Sequence, residues 1–120
     1  MRQTHPLRRH TRLPVRWPML YGNEEFVAKG TVVDVTAKGW RMAGPMPVHP
    51  GMRLSVSVWP PEKPMGFRVE QASVLWVKGY EFVLEVQEMD PIDHEWLTQF
   101  LDRALGWIVR WDGGWASQAA

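Results

Sequence analysis

The sequence predicts a mostly-β fold: a small closed barrel of six short antiparallel strands with one α-helix at the C-terminal end. Three observations carry that expectation. Short runs rich in β-branched residues alternate apolar and polar side chains. Turn-forming clusters, "YGNEE", "AKG", "HPG", "PPEKPMG" and "VKG", separate those runs at hairpin spacing. One segment with helical periodicity comes last, and strands followed by a terminal helix fit a small barrel better than a layered α/β fold. At 120 residues with 45% hydrophobic content, the chain is long enough for one domain with one modest core.

The elements follow in order. Residues 1–12 have little hydrophobic content and read as a flexible basic arm. From Val15 onward the pattern is β, and "FVAKGTVVDVT" is its β-branched centre. Alternation there sends Val33 and Val35 into the core and leaves Asp34 and Thr36 together on the outer face. In "RLSVSVW", Leu54, Val56 and Val58 share one face and Ser55 and Ser57 the other. "FRVEQASVLWV" changes phase near Gln71. Phe67 and Val69 fall on odd positions, and Ala72, Val74 and Trp76 on even ones, so a bulge there keeps both halves on one core. "YEFVLEV" points Tyr80, Phe82, Leu84 and Val86 inward and Glu81 and Glu85 outward. Asp90 then caps a helix with Pro91 in its first turn, and Asp93 and Glu95 complement its N-terminus. Leu97, Leu101, Leu105 and Ile108 recur at helical spacing, widened by Trp96, Phe100 and Ala104. Asp112-Gly113-Gly114 is the expected stop. The division is therefore an arm (1–12), a barrel with its helix (13–110) and a tail (111–120).

Composition excludes several classes. There is no cysteine, so disulfides, thiolate metal sites and cysteine nucleophiles are ruled out. No run has the apolar length of a membrane span, and the N-terminus lacks the apolar stretch of a signal peptide. A cytoplasmic protein without membrane insertion is expected. His5, His10, His49 and His94 have no metal-like spacing, and no nucleophile–base–acid set is evident. The chain reads as a binding protein, not an enzyme, with no metal and no cofactor.

Charge is more informative in its distribution than in its sum. Residues 1–16 hold five arginines and no acid, while the remainder carries a net −4. A basic arm on a mildly acidic body implies a local anionic partner, not a surface that coats long nucleic acid. Taken alone the arm is an ordinary solvated tail, and Asp34 and Thr36 an ordinary strand end. Together they make a constellation: arginines Arg8, Arg9 and Arg12 on one side, and Asp34, Thr36 and the turn glycine Gly39, where a positive φ is expected, on the other.

These residues resemble the PilZ domain family. Arg8-Arg9-His10-Thr11-Arg12 is similar to its RxxxR arm, and Asp34-x-Thr36-x-x-Gly39 to its (D/N)xSxxG motif, with threonine for serine. "VLWVKGYEFVLEV" followed by "MDPIDHEWLTQFL" is similar to the family's late strands and terminal helix, and the likeness runs over about residues 7–105. The resemblance implies a six-stranded PilZ-type barrel and a bacterial receptor for cyclic di-GMP, acting in second-messenger signalling through an unidentified downstream protein. The chemistry suits that ligand: guanidinium forks match the O6/N7 edge of guanine and pair with phosphate, and a carboxylate accepts from guanine N1–H and N2–H₂. By resemblance the cyclic di-GMP-binding residues are Arg8, Arg12, Asp34, Thr36 and Gly39, with Arg9 beside them. Threonine keeps the hydroxyl while its methyl stiffens χ1, which weakens the fit without removing the bond.

Two other readings stand beside this one. A PilZ-like protein–protein interaction module that binds no nucleotide is kept open by the Trp-rich segment "GWIVRWDGGW", whose apolar residues wrap more than one helical face. That segment either folds back on the barrel or forms an interface, and a homodimer is one such interface. A nucleic-acid-binding barrel is the third reading, and the acidic body argues against it.

Overall fold

The structure is a computed structural model that describes residues 12–36 and 38–117, with side chains as far as Ala104. Its elements are six strands, β1 (Leu13–Gly22), β2 (Val27–Val35), β3 (Gly39–Ala43), β4 (Arg53–Val58), β5 (Phe67–Lys78) and β6 (Glu81–Met89), followed by one helix, α1 (Pro91–Ser117). All strand pairs are antiparallel and the sheet closes in the order β1-β2-β3-β6-β5-β4. The fold is the six-stranded antiparallel barrel with one C-terminal helix that the sequence predicts. Among the described residues, closure leaves no edge strand to pair with another chain.

The interior is filled by alternate residues of every strand, among them Tyr21, Val32, Val35, Trp40, Met42, Leu54, Val56, Val58, Val74, Phe82 and Leu84. β4 follows strict alternation, as expected. β5 does not: its register shifts around Gln71, and this keeps Phe67 and Val69 before it and Ala72 and Val74 after it in one core. A second shift, between Val74 and Trp76, was not anticipated. It reverses the phase again, so Trp76 is 39% exposed on the outer wall and not in the core. Tyr80 also departs from the expected inward position. It sits in the β5–β6 turn, 75% exposed, because the strand begins one residue later. Gly51, Gly66 and Gly79 close the turns with positive φ.

A cluster of aromatic rings joins the helix to one end of the barrel. Trp17 is at its centre, with ring centroids 6.2 Å from Trp40, 6.4 Å from Phe67, 6.3 Å from Trp96 and 5.5 Å from Phe100. Trp96 and Phe100 stack on each other one helical turn apart, and Leu97 and Leu101 are buried beside them. Asp90 caps the helix as expected, its Oδ1 accepting from Ile92 N at 2.8 Å. The helix then runs to Ser117, beyond Asp112-Gly113-Gly114. Glycine costs only about 1 kcal/mol in a helix interior, so two glycines weaken a helix without compelling it to stop.

At the opposite strand ends Tyr21 pins the β3–β4 loop. Its hydroxyl donates to Met46 O at 2.9 Å and accepts from Met46 N at 2.8 Å. Burial raises its pKa above the ordinary phenol value, with the backbone bond to Met46 opposing the rise.

Candidate functional site

The site is built on a bulge in β2. Val32 and Val35 both point into the core, three positions apart, with Val33 as the extra residue: Val32 pairs with Met42 and Asp34 with Arg41, its neighbour on β3. β1 is irregular at the same level, between Pro14 and Trp17. This corrects the sequence expectation that Val33 and Val35 share the core face. In unbroken alternation Asp34 would follow Val32 inward. The bulge turns it to the outer wall instead, one use to which bulges are put.

On that wall the pairing register brings one row together across five strands: Pro14, Asp34, Arg41, Val83 and Trp76. Asp34 is only 4% exposed, the one buried charged residue among those described. Its Oδ1 accepts from Arg12 Nη1 at 3.1 Å. Its Oδ2 accepts from Arg41 Nε at 2.9 Å and lies 2.8 Å from Arg41 Nη2. Arg41 also reaches Glu81 through Nη1 at 3.3 Å. A carboxylate removed from water in this way needs cationic partners, because an unpaired buried charge is strongly destabilising.

Thr36 lies beyond the end of β2 and staples the turn to Gly39. Its hydroxyl donates to Gly39 O at 2.9 Å and accepts from Gly39 N at 3.0 Å and Lys38 N at 3.3 Å. The hydroxyl's one donor and two lone pairs are thereby all engaged within the turn. Gly39 does not have the positive φ expected of it. Glycine is suited there for a different reason: a Cβ would lie 3.1 Å from Leu84 O, so the strand could not approach β6 as closely. Thr36→Val keeps the shape and removes the hydroxyl. It is expected to cost about 1–2 kcal/mol, the net value of one or two neutral hydrogen bonds, in urea unfolding, while Thr36→Ser stays near wild type.

Beside this turn an open groove of about 420 Å³ is lined by Arg12, Thr36, Lys38, Gly39, Leu75, Val83 and Glu85. Leu75 is 51% exposed and adjoins the exposed Trp76. The groove thus combines two cations, Arg12 and Lys38, with the Glu85 carboxylate, a tight turn and the apolar side chains of Leu75 and Val83. Among the described residues no group of three His, Asp or Glu side chains is placed to hold a metal ion.

Of the sequence-derived residues, Arg12, Asp34, Thr36 and Gly39 come together here; Arg8 and Arg9 lie outside the described residues. Sequence reasoning missed Arg41, Leu75 and Trp76. Arg41 was within reach, since it stands two residues after Gly39 on a strand and must share its face. Trp76 was hidden by the second bulge in β5.

The sequence matches the PilZ domain family over residues 6–103. No curated protein matches the chain by sequence. Among solved structures, the Bacillus subtilis inhibitor of motility, MotI/DgrA, is similar with a TM-score of 0.65 at 19% identity, over 78% of this chain and 49% of that one. At that identity the likeness is one of fold, and the chain spans about half the length of that protein.

Proposed function

Because the chain belongs to the PilZ domain family, a family of cyclic di-GMP receptors and not of catalysts, we propose that it is a cyclic di-GMP-binding effector that signals to a protein partner. The observation that carries this reading is Asp34: a buried carboxylate on the outer wall, bonded to Arg12, which with Thr36 and Gly39 of the second motif lines the groove. In the proposed mechanism the ligand draws Arg8 and Arg12 of the arm (residues 1–12) onto its phosphates and guanine edges, with Arg9 beside them. Asp34 accepts from a guanine. Thr36 and Gly39 contribute shape, holding the turn close to the barrel so that a ring can lie along the groove. Leu75 and Trp76 supply the apolar surface on which a base rests. The arm's new position alters the surface that a partner meets. Barrel and helix (13–110) act as the platform. Among the described residues no helix is long and apolar enough to cross a membrane, and we place the protein in the bacterial cytoplasm.

Calorimetric titration with cyclic di-GMP, with GTP and cyclic di-AMP as controls, tests the reading. Saturable binding selective for cyclic di-GMP is expected, weakened by about tenfold or more in Arg12→Ala, since a charge-assisted hydrogen bond contributes about 1.5–3 kcal/mol. Equal affinity in wild type and Arg12→Ala removes Arg12 from the site.

One observation favours a second reading. Asp34 and Thr36 already have bonding partners within the chain, as in an interaction module that binds no nucleotide. That module predicts no heat with any nucleotide. A homodimer through the C-terminal segment belongs to this reading, and truncation after Arg103 followed by measurement of oligomeric state checks it.

A further inference from the structure

We infer that Arg41 is a positioning residue that keeps the Arg12–Asp34 bond single, and so sets how readily Arg12 releases Asp34 to admit a ligand. The inference rests on the cyclic di-GMP reading.

A carboxylate offers about four acceptor positions, two on each oxygen. Arg41 takes both positions of Oδ2 through Nε and Nη2, and Arg12 takes one on Oδ1. The two arginines are held very differently. Arg41 belongs to β3, pairs directly with Asp34 in the ladder, and is tied on its far side to Glu81. Arg12 precedes the first residue of β1 and is about half exposed. Among the described residues it is held by its one bond to Asp34. Arg12 can therefore leave without breaking the ladder, and Asp34 still has a cation when it does. The buried carboxylate is not left unpaired during the exchange.

Without Arg41 the balance reverses. Both oxygens of Asp34 become available to Arg12, the one other cation bonded to it among the described residues, and a fork-to-fork pair replaces a single bond. Arg12 then becomes a latch. A ligand that needs Arg12 displaced meets a protein whose open fraction is smaller, and apparent affinity falls with that fraction. The loss lies in association, because Arg41 makes no contact with the ligand in this scheme.

Stopped-flow tryptophan fluorescence on the full chain, with cyclic di-GMP as the probe, separates the rates. For Arg41→Met the association rate constant is expected to fall roughly tenfold, the effect of one added charge-assisted bond on the open fraction. The dissociation rate constant is expected to stay within about twofold of wild type, against the usual pattern in which substitutions act on dissociation. Arg41→Lys keeps the charge with a poorer match to Oδ2 and is expected to fall between; it also serves if Arg41→Met does not fold, as judged by circular dichroism. Faster dissociation with unchanged association assigns Arg41 a direct contact or a structural role and overturns the inference. Wild-type rates in both variants overturn it equally. Failure of the wild-type protein to bind removes the parent reading and the inference together.

Discussion

Trp17→Ala is expected to destabilise the protein by about 3–5 kcal/mol, the range for truncating a large buried aromatic residue. Trp17 is 2% exposed and meets Trp40 and Phe67 of the barrel and Trp96 and Phe100 of the helix. Its removal leaves a cavity where helix and barrel meet, which neighbours rooted in two elements cannot jointly close. Domains of this size have total stabilities of about 5–15 kcal/mol, so the variant stands near the limit of folding. Urea unfolding followed by far-ultraviolet circular dichroism measures the effect as a lowered midpoint at unchanged slope. Trp17→Phe retains most ring contacts and is expected to lose much less. A cost below about 1 kcal/mol for Trp17→Ala means that the helix is held elsewhere, since so small a value lies outside the truncation range.

Asp34→Ala is expected to show the opposite profile: large in binding and small in stability. Arg12 and Arg41 are each more than a third exposed, so both turn to water when the carboxylate is lost. No buried charge is then left unpaired, so the loss of stability is about 1–2 kcal/mol, below the roughly 3–5 kcal/mol of a buried pair broken to leave a stranded charge. Under the proposed function, affinity for cyclic di-GMP falls by about a hundredfold or more, because hydrogen bonds from guanine to a charged acceptor contribute about 1.5–3 kcal/mol each. Asp34→Asn places an amide where a guanine donor must be accepted and is expected to lose nearly as much. Calorimetry and urea unfolding on the same preparations separate the two quantities. Binding retained by Asp34→Ala removes this residue from the ligand site.

The fold was largely legible because barrel strands announce themselves by alternation, and β4 does so without a break. Alternation failed where the backbone departs from it. Trp76 was assigned to the core by parity alone, and an irregularity after Val74 moved it to the wall. Asp34 was correctly placed outside, but by a count that put Val33 in the core, where the structure has Val32. A bulge leaves almost no trace in composition: "VVDV" reads equally well in either phase. Arg41 illustrates a different limit. Spacing locates it on the right face, yet its bond to Asp34 depends on which strands are neighbours, and that is a property of the closed sheet. The helix's extension past two glycines belongs to the same class, since weak stop signals compete with propagation.

The Val33 bulge means that β2 has two frames, as a message does on either side of an inserted letter. Upstream of it even-numbered residues are interior; downstream odd-numbered ones are. The spacing between core and site is thus stored in chain length more than in side-chain identity. Exchanges at Val33 for other β-branched residues leave both frames intact. Losing Val33 removes the extra residue itself and restores plain alternation, with Val32 inward, Asp34 outward and Val35 inward, so the carboxylate keeps its face while the bulge disappears. At this one position the strand tolerates both a change of letter and its loss, whereas a residue lost elsewhere along β2 throws one frame out of step with the other.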